Sequence, residues 1–139
     1  MKINYVEHSD GTKLFSFFRH DYKKYSKDDE TIMIDGGIDY TRFSGKIKEK
    51  EIKDLIKDVR EQFTWGQNYD KNNVRLNKTN YILLKDMTTG HIINVLLYFT
   101  QGIGGEVDTI DKNRTVTKQW FVIHEIFLQE LKFRNDEEV

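Results

Sequence analysis

Ile52, Leu55, Ile56, Val59 and Phe63 stand at i, i+3, i+4, i+7 and i+11, with Lys53, Asp54, Lys57, Asp58, Arg60 and Glu61 between them. That spacing lines the apolar side chains along one stripe of an α-helix and turns the charged ones away from it. A helix this short holds only if its stripe is buried against another layer. The chain must supply that layer, and the two sides of the helix read differently.

On the N-terminal side the pattern is that of strands. Lys2 to Glu7 and Lys13 to Phe18 gather β-branched and aromatic residues around Ser9-Asp10-Gly11-Thr12, and Asp-Gly between two such runs predicts a hairpin. Thr31 to Asp35 and Ile38 to Phe43 flank Gly36-Gly37, a pair that permits positive φ and predicts a second tight turn or a bulge. The polar stretch Ser26 to Glu30 reads as a loop. Phe17, Arg19, Asp21 and Lys23 alternate with Phe18, His20, Tyr22 and Lys24, the pattern of an antiparallel strand with one buried face.

On the C-terminal side two more helices are predicted. Asp86-Met87-Thr88-Thr89 offers side-chain caps for a helix whose Ile92, Ile93, Val95, Leu96 and Phe99 are apolar on most sides, with His91 near its start as part of the cap. A third runs from about Thr117 to Phe133, carrying Trp120, Phe121, His124, Phe127, Leu128 and Leu131 at helical spacing, with His124 as a hydrogen-bonded core histidine. The polar, Asn-rich stretch Trp65 to Thr79 reads as a long loop, Tyr81 to Lys85 as a short strand, and Gly102 to Arg114 as a flexible segment. The expected fold is α+β: an N-terminal antiparallel β-sheet of hairpins packed with three α-helices in one layered domain, residues 1–139, with 135–139 as a frayed tail. Ile52, Leu55, Ile56, Val59, Ile92, Leu96, Trp120, Phe127 and Leu131 are its expected core.

A chain of 139 residues can bury roughly 68 to 70% of its unfolded surface around one core. The absence of cysteine removes disulfides, thiol nucleophiles and Cys-based zinc sites and fits a reducing cytoplasm. No apolar run is long enough for a spanning helix. With 22 Lys+Arg against 23 Asp+Glu there is no global field to hold a polyanion or to imitate one, which disfavours nucleic-acid coating but leaves a local patch open.

Candidate chemistry concentrates in three stretches: Arg19-His20-Asp21-Tyr22, Asp35 to Arg42, and Trp65 to Asp70. His20 as acid or base, Asp35 or Asp39 as its orienting carboxylate, and Arg19 or Arg42 as anion clamp would make a site. Neighbours on a strand face opposite ways, however, so His20 and Asp21 cannot both meet one ligand without a bulge. His8, His20, His91 and His124 are isolated, so no metal and no metal dependence are expected. Gly36-Gly37 and Gly102-Ile103-Gly104-Gly105 match neither dinucleotide nor phosphate-loop patterns, so no cofactor is expected either.

Arg19-His20-Asp21-Tyr22, Met33-Ile34-Asp35-Gly36-Gly37 with Asp39-Tyr40-x-Arg42, Trp65-Gly66-x-Asn68-Tyr69-Asp70, Leu83 to Ile92 and Glu130-Leu131-x-Phe133-Arg134 together resemble a family of small uncharacterised proteins encoded by bacteriophages and prophages. The resemblance spans most of the chain. It implies a setting, the cytoplasm of a host cell, where small accessory proteins commonly bind a host protein or neutralise a defence system. The expected function is a non-catalytic interaction module that inhibits or redirects a host protein, with Arg19, Tyr22, Asp39, Arg42, Trp65 and Tyr69 as its surface. The alternative is a small-ligand or nucleotide binder using Arg19, His20, Arg42 and Trp65. A hydrolase or nuclease comes third.

Overall fold

A computed structural model describes residues 1–38, 40–100 and 118–137, with only the helical backbone at 98–100 and 118–119. Asp39, the glycine-bearing segment 102–114 and the side chain of Phe99 thus lie outside the described residues.

The fold is α+β, and the strands among the described residues divide among three antiparallel sheets. In the first, β1 (Lys2–Glu7) lies between β2 (Lys13–Phe15) and β6 (Ile47–Glu51). In the second, β4 (Glu30–Asp35) lies between β3 (Lys23–Lys27) and β5 (Arg42–Ser44), and β7 (Thr64–Tyr69) and β8 (Arg75–Leu83) form a ribbon of their own. The helices are α1 (Ile52–Val59), α2 (Thr89–Thr100) and α3 (Lys118–Glu137).

Sheet one is the middle layer. Side chains alternate across a strand, and β1 buries both sets: Ile3 and Tyr5 enter a core with α1, α2 and α3, whereas Val6 joins Leu14, Ile32 and Ile34 in a second core against sheet two. Register keeps the sets apart, since Tyr5 stands opposite Phe15 and Val6 opposite Leu14. The larger core is threaded by aromatic rings, with centroids 5.2 Å apart from Phe17 to Phe63, 5.5 Å from Phe63 to Phe127 and 5.4 Å from Phe127 to Trp65.

The Asp10-Gly11 hairpin forms as expected, closed by hydrogen bonds from the His8 amide to Thr12 O and the Gly11 amide to His8 O. Three expectations need correction. Ser26 to Glu30 is no loop: Ser26 and Lys27 end β3, Glu30 opens β4, and Asp28 and Asp29 alone turn the chain at φ of 52° and 65°. Aspartate tolerates this left-handed region, so Asp-Asp serves where Asn-Gly is the usual signal. The stretch from Phe17 to Lys24 is not one strand, because β2 stops at Phe15 and the chain turns between Phe18 and Asp21. Trp65 to Thr79 is not a loop but most of the β7–β8 ribbon, with a register shift between Gln67 and Tyr69.

The helices differ from expectation in detail. Helix α1 ends at Val59, yet Phe63 is fully buried one turn further on, its amide donating to Val59 O. The α1 N-terminus has no side-chain cap; Met1 O accepts from the Ile52 amide instead. Of the expected core, Ile52, Leu55, Val59, Ile92, Leu96 and Phe127 are buried, while Ile56, Trp120 and Leu131 are half-buried. Helix α3 buries Val122, Ile126, Phe127 and Glu130, leaving Phe121 and Leu128 exposed and His124 half-buried with its ring beside Trp120. It runs through Asn135 to Glu137, where a tail was expected.

Among the described residues, Glu130 is the one charged residue on the buried face of α3. Its carboxylate is fully buried and accepts from Arg60 Nε at 2.7 Å, Arg60 again at 3.0 Å, and Arg134 Nε at 2.7 Å. Arg134 also donates to Leu84 O and Thr89 Oγ1, and the Arg60 guanidinium lies 4.5 Å from the centre of the Phe133 ring. A buried charge persists only when its partners are this complete, and here they tie α3 to the end of α1 and the start of α2. No helix among the described residues is long and apolar enough to cross a membrane.

Candidate functional site: two fastened loops

Leu14 to Phe17 are buried in succession, and the chain then reverses between Phe18 and Tyr22, with the Asp21 amide donating to Phe18 O and the Tyr22 amide to His20 O. Arg19, His20 and Tyr22 are exposed on this turn, whereas Asp21 points inward. Its carboxylate accepts from the Phe17 amide at 2.9 Å and from Lys23 Nζ at 3.1 Å. Lys23 also donates to Phe15 O at 2.6 Å and sits 4.6 Å from the centre of the Phe17 ring. Burial pulls the Lys23 pKa below its ordinary value, and Asp21 opposes that shift.

The second loop runs from Gly36 to Thr41 and is pressed onto the first. Ser16 Oγ donates to Asp21 O at 2.6 Å and accepts from the Gly37 amide at 2.9 Å, so one hydroxyl holds both loops. Gly37 has φ 65°, and a Cβ there would lie 2.8 Å from Phe18 backbone atoms. Only glycine permits both that conformation and that approach. Asp35 is buried and accepts from Arg42, whose side chain is 63% exposed and reaches out beside the Tyr40 ring. Tyr40 is itself 65% exposed.

The two adjoining loops and the first residue of β5 thus leave Arg19, His20, Tyr22, Tyr40 and Arg42 exposed. Trp65 and Tyr69 are placed differently. Trp65 begins the ribbon, half-buried and packed on the larger core. Tyr69 stands exposed four residues on, roughly 13 Å along the strand, with Arg75 Nη1 donating to its hydroxyl at 3.4 Å. Among the described residues the His20 side chain has no carboxylate partner, since Asp21 and Asp35 face Lys23 and Arg42. No group of three or more His, Asp or Glu is arranged among them to hold a metal ion.

A second polar cluster surrounds His8, which the sequence did not single out. The buried imidazole bridges sheets one and two: Nε2 donates to Lys27 O at 2.9 Å, and Nδ1 lies 3.1 Å from the Asp10 carboxylate, to which it donates when protonated. Burial acts to lower the His8 pKa, but the Lys27 carbonyl and the Asp10 and Glu30 carboxylates outweigh it and raise the value. The Tyr25 hydroxyl and the Thr12 amide hold Asp10 well below the usual carboxylate range, and Ser9, through hydroxyl and amide, lowers Glu30. A shallow concavity of about 410 Å³ opens beside the cluster, with Lys46 and Lys48 also lining it.

No protein-family model matches the chain, and neither a curated protein nor a solved structure matches it.

Proposed function

We propose that this chain is a non-catalytic interaction module whose loops Phe18–Tyr22 and Gly36–Thr41, with Arg42 at the start of β5, seat a protein partner. The observation that carries the reading is the Ser16 hydroxyl fastening both loops while Arg19, His20, Tyr22, Tyr40 and Arg42 stay exposed. Arginine and tyrosine are the usual anchors of protein interfaces, and anchors on a frame already fixed lose less entropy on binding. Asp39 belongs to the same loop by sequence. The resemblance to phage-encoded accessory proteins supports a host protein as the partner, a host-defence component among the candidates, which the module inhibits or redirects.

A small-ligand site made from Arg19, His20, Arg42 and Trp65 is the weaker reading, because Asp35 already engages Arg42 and the Trp65 ring lies 5.4 Å from Phe127 in the core. Hydrolysis or nuclease chemistry is weaker still, given carboxylates committed to Lys23 and Arg42. Affinity capture from host cells with the wild-type chain and with an Arg19→Ala, Tyr22→Ala, Arg42→Ala variant tests the proposal. The expected result is a host protein retained by the first and lost by the second. Equal retention by both would move the interface elsewhere.

A further inference from the structure

The β7–β8 ribbon is an unusual use of polar chain. From Asn68 to Tyr81 every residue except Asp70 and Leu76 is exposed, so neither face of the ribbon is buried beyond its base. Two strands alone are marginally stable in water, and here the base is held by Trp65 and Ile82 packed on the core and by the Leu84 amide donating to Phe63 O at 2.8 Å. The outer part carries Lys71, Arg75 and Lys78 against one carboxylate, Asp70. That carboxylate is engaged in the turn, accepting from the Asn72 and Val74 amides at 2.8 and 3.0 Å. A chain of net charge -1 therefore carries an excess of positive charge on this exposed ribbon and leaves the remainder acidic.

We infer that this ribbon is a docking arm for duplex DNA, entering the major groove. Charge complementarity selects a polyanion, since the three cations have no committed acidic partner on the ribbon and phosphate contacts dominate such affinities. Shape selects the duplex: two strands about 4.8 Å apart fit the B-form major groove, about 12 Å wide, whereas the A-form RNA groove is too deep and narrow for side chains to read. Side-chain chemistry agrees, because Asn pairs with adenine edges and Arg and Lys with guanine edges, and Asn80, Arg75 and Lys78 stand exposed on the ribbon. The sequence hid this patch behind a balanced net charge.

The test is fluorescence anisotropy of the full chain with a labelled duplex DNA of mixed sequence, the same sequence as a single strand, and the corresponding duplex RNA. The expected result is salt-dependent binding that is tightest for duplex DNA. A Lys71→Ala, Arg75→Ala, Lys78→Ala variant should bind at least about tenfold more weakly, with log affinity falling less steeply against log salt, by about 0.9 per lost phosphate contact. A control with the same net charge, Lys24→Ala, Lys53→Ala, Lys57→Ala, should bind like the wild type. No binding at low salt, preference for the single strand or for RNA, or equal loss in both variants would overturn the inference; melting curves exclude unfolding as the cause.

Discussion

Gly37 shows how one residue can carry a site without belonging to its chemistry. Its positive φ and the 2.8 Å left for a Cβ against the Phe18 backbone make Gly37→Ala an overpacking change, with an expected cost of about 1 to 3 kcal/mol. Chemical denaturation measures it, and an unchanged midpoint would mean that the loops are not pressed together. His8 acts through its charge. Its folded pKa is raised, so the folded state favours the protonated form, and the resulting stability is complete below the unfolded value of about 6.5 and lost as pH rises through the folded one. Asp10 and Glu30 have the opposite sign: their stabilisation is present above ordinary carboxylate values and lost on acidification. The urea midpoint should therefore fall between pH 6 and pH 8 in the wild type and fall less in His8→Gln. The same slope in both would remove His8 as the cause.

At the scale of elements, much was legible because local pattern and tertiary burial agree. The α1 stripe, the Asp10-Gly11 hairpin and the α2 start at Thr88, whose Oγ1 accepts from the His91 amide, each carry their signal within a few residues. Elements fixed by distant partners were not legible. The ribbon has no apolar alternation, since both its faces meet solvent, and α3 is oriented by Arg60, about seventy positions from Glu130. Of the candidate site, the exposed loop residues could be named from sequence, but their fastening through Ser16 could not, because a single serine has no periodicity. Glu130→Ala tests the helix arrangement. Leaving two part-buried guanidinium groups without their carboxylate should cost about 3 to 5 kcal/mol, read from denaturation; a cost within about 0.5 kcal/mol, as for ordinary surface changes, would make the cluster incidental.

Across the whole molecule, a middle sheet buried on both sides separates two cores of unequal size. The larger joins all three helices to β1, so Leu55→Ala should cost about 2 to 5 kcal/mol, seen as a lower denaturation midpoint with unchanged slope. The same layering presents the two fastened loops at the ends of β2, β3, β4 and β5, where the frame is fixed and the anchors are exposed to a partner. Stability and binding should then separate by residue. The measurement that tests this most directly is a binding titration of the captured partner, with a melting curve beside each point, for Arg19→Ala and Trp65→Ala. Arg19→Ala, which removes an exposed side chain, should weaken binding by more than about 1 to 2 kcal/mol and melt like the wild type, whereas Trp65→Ala should lose about 2 kcal/mol of stability through its packing. Wild-type affinity in Arg19→Ala, or a binding loss seen only in variants that also unfold, would contradict the account.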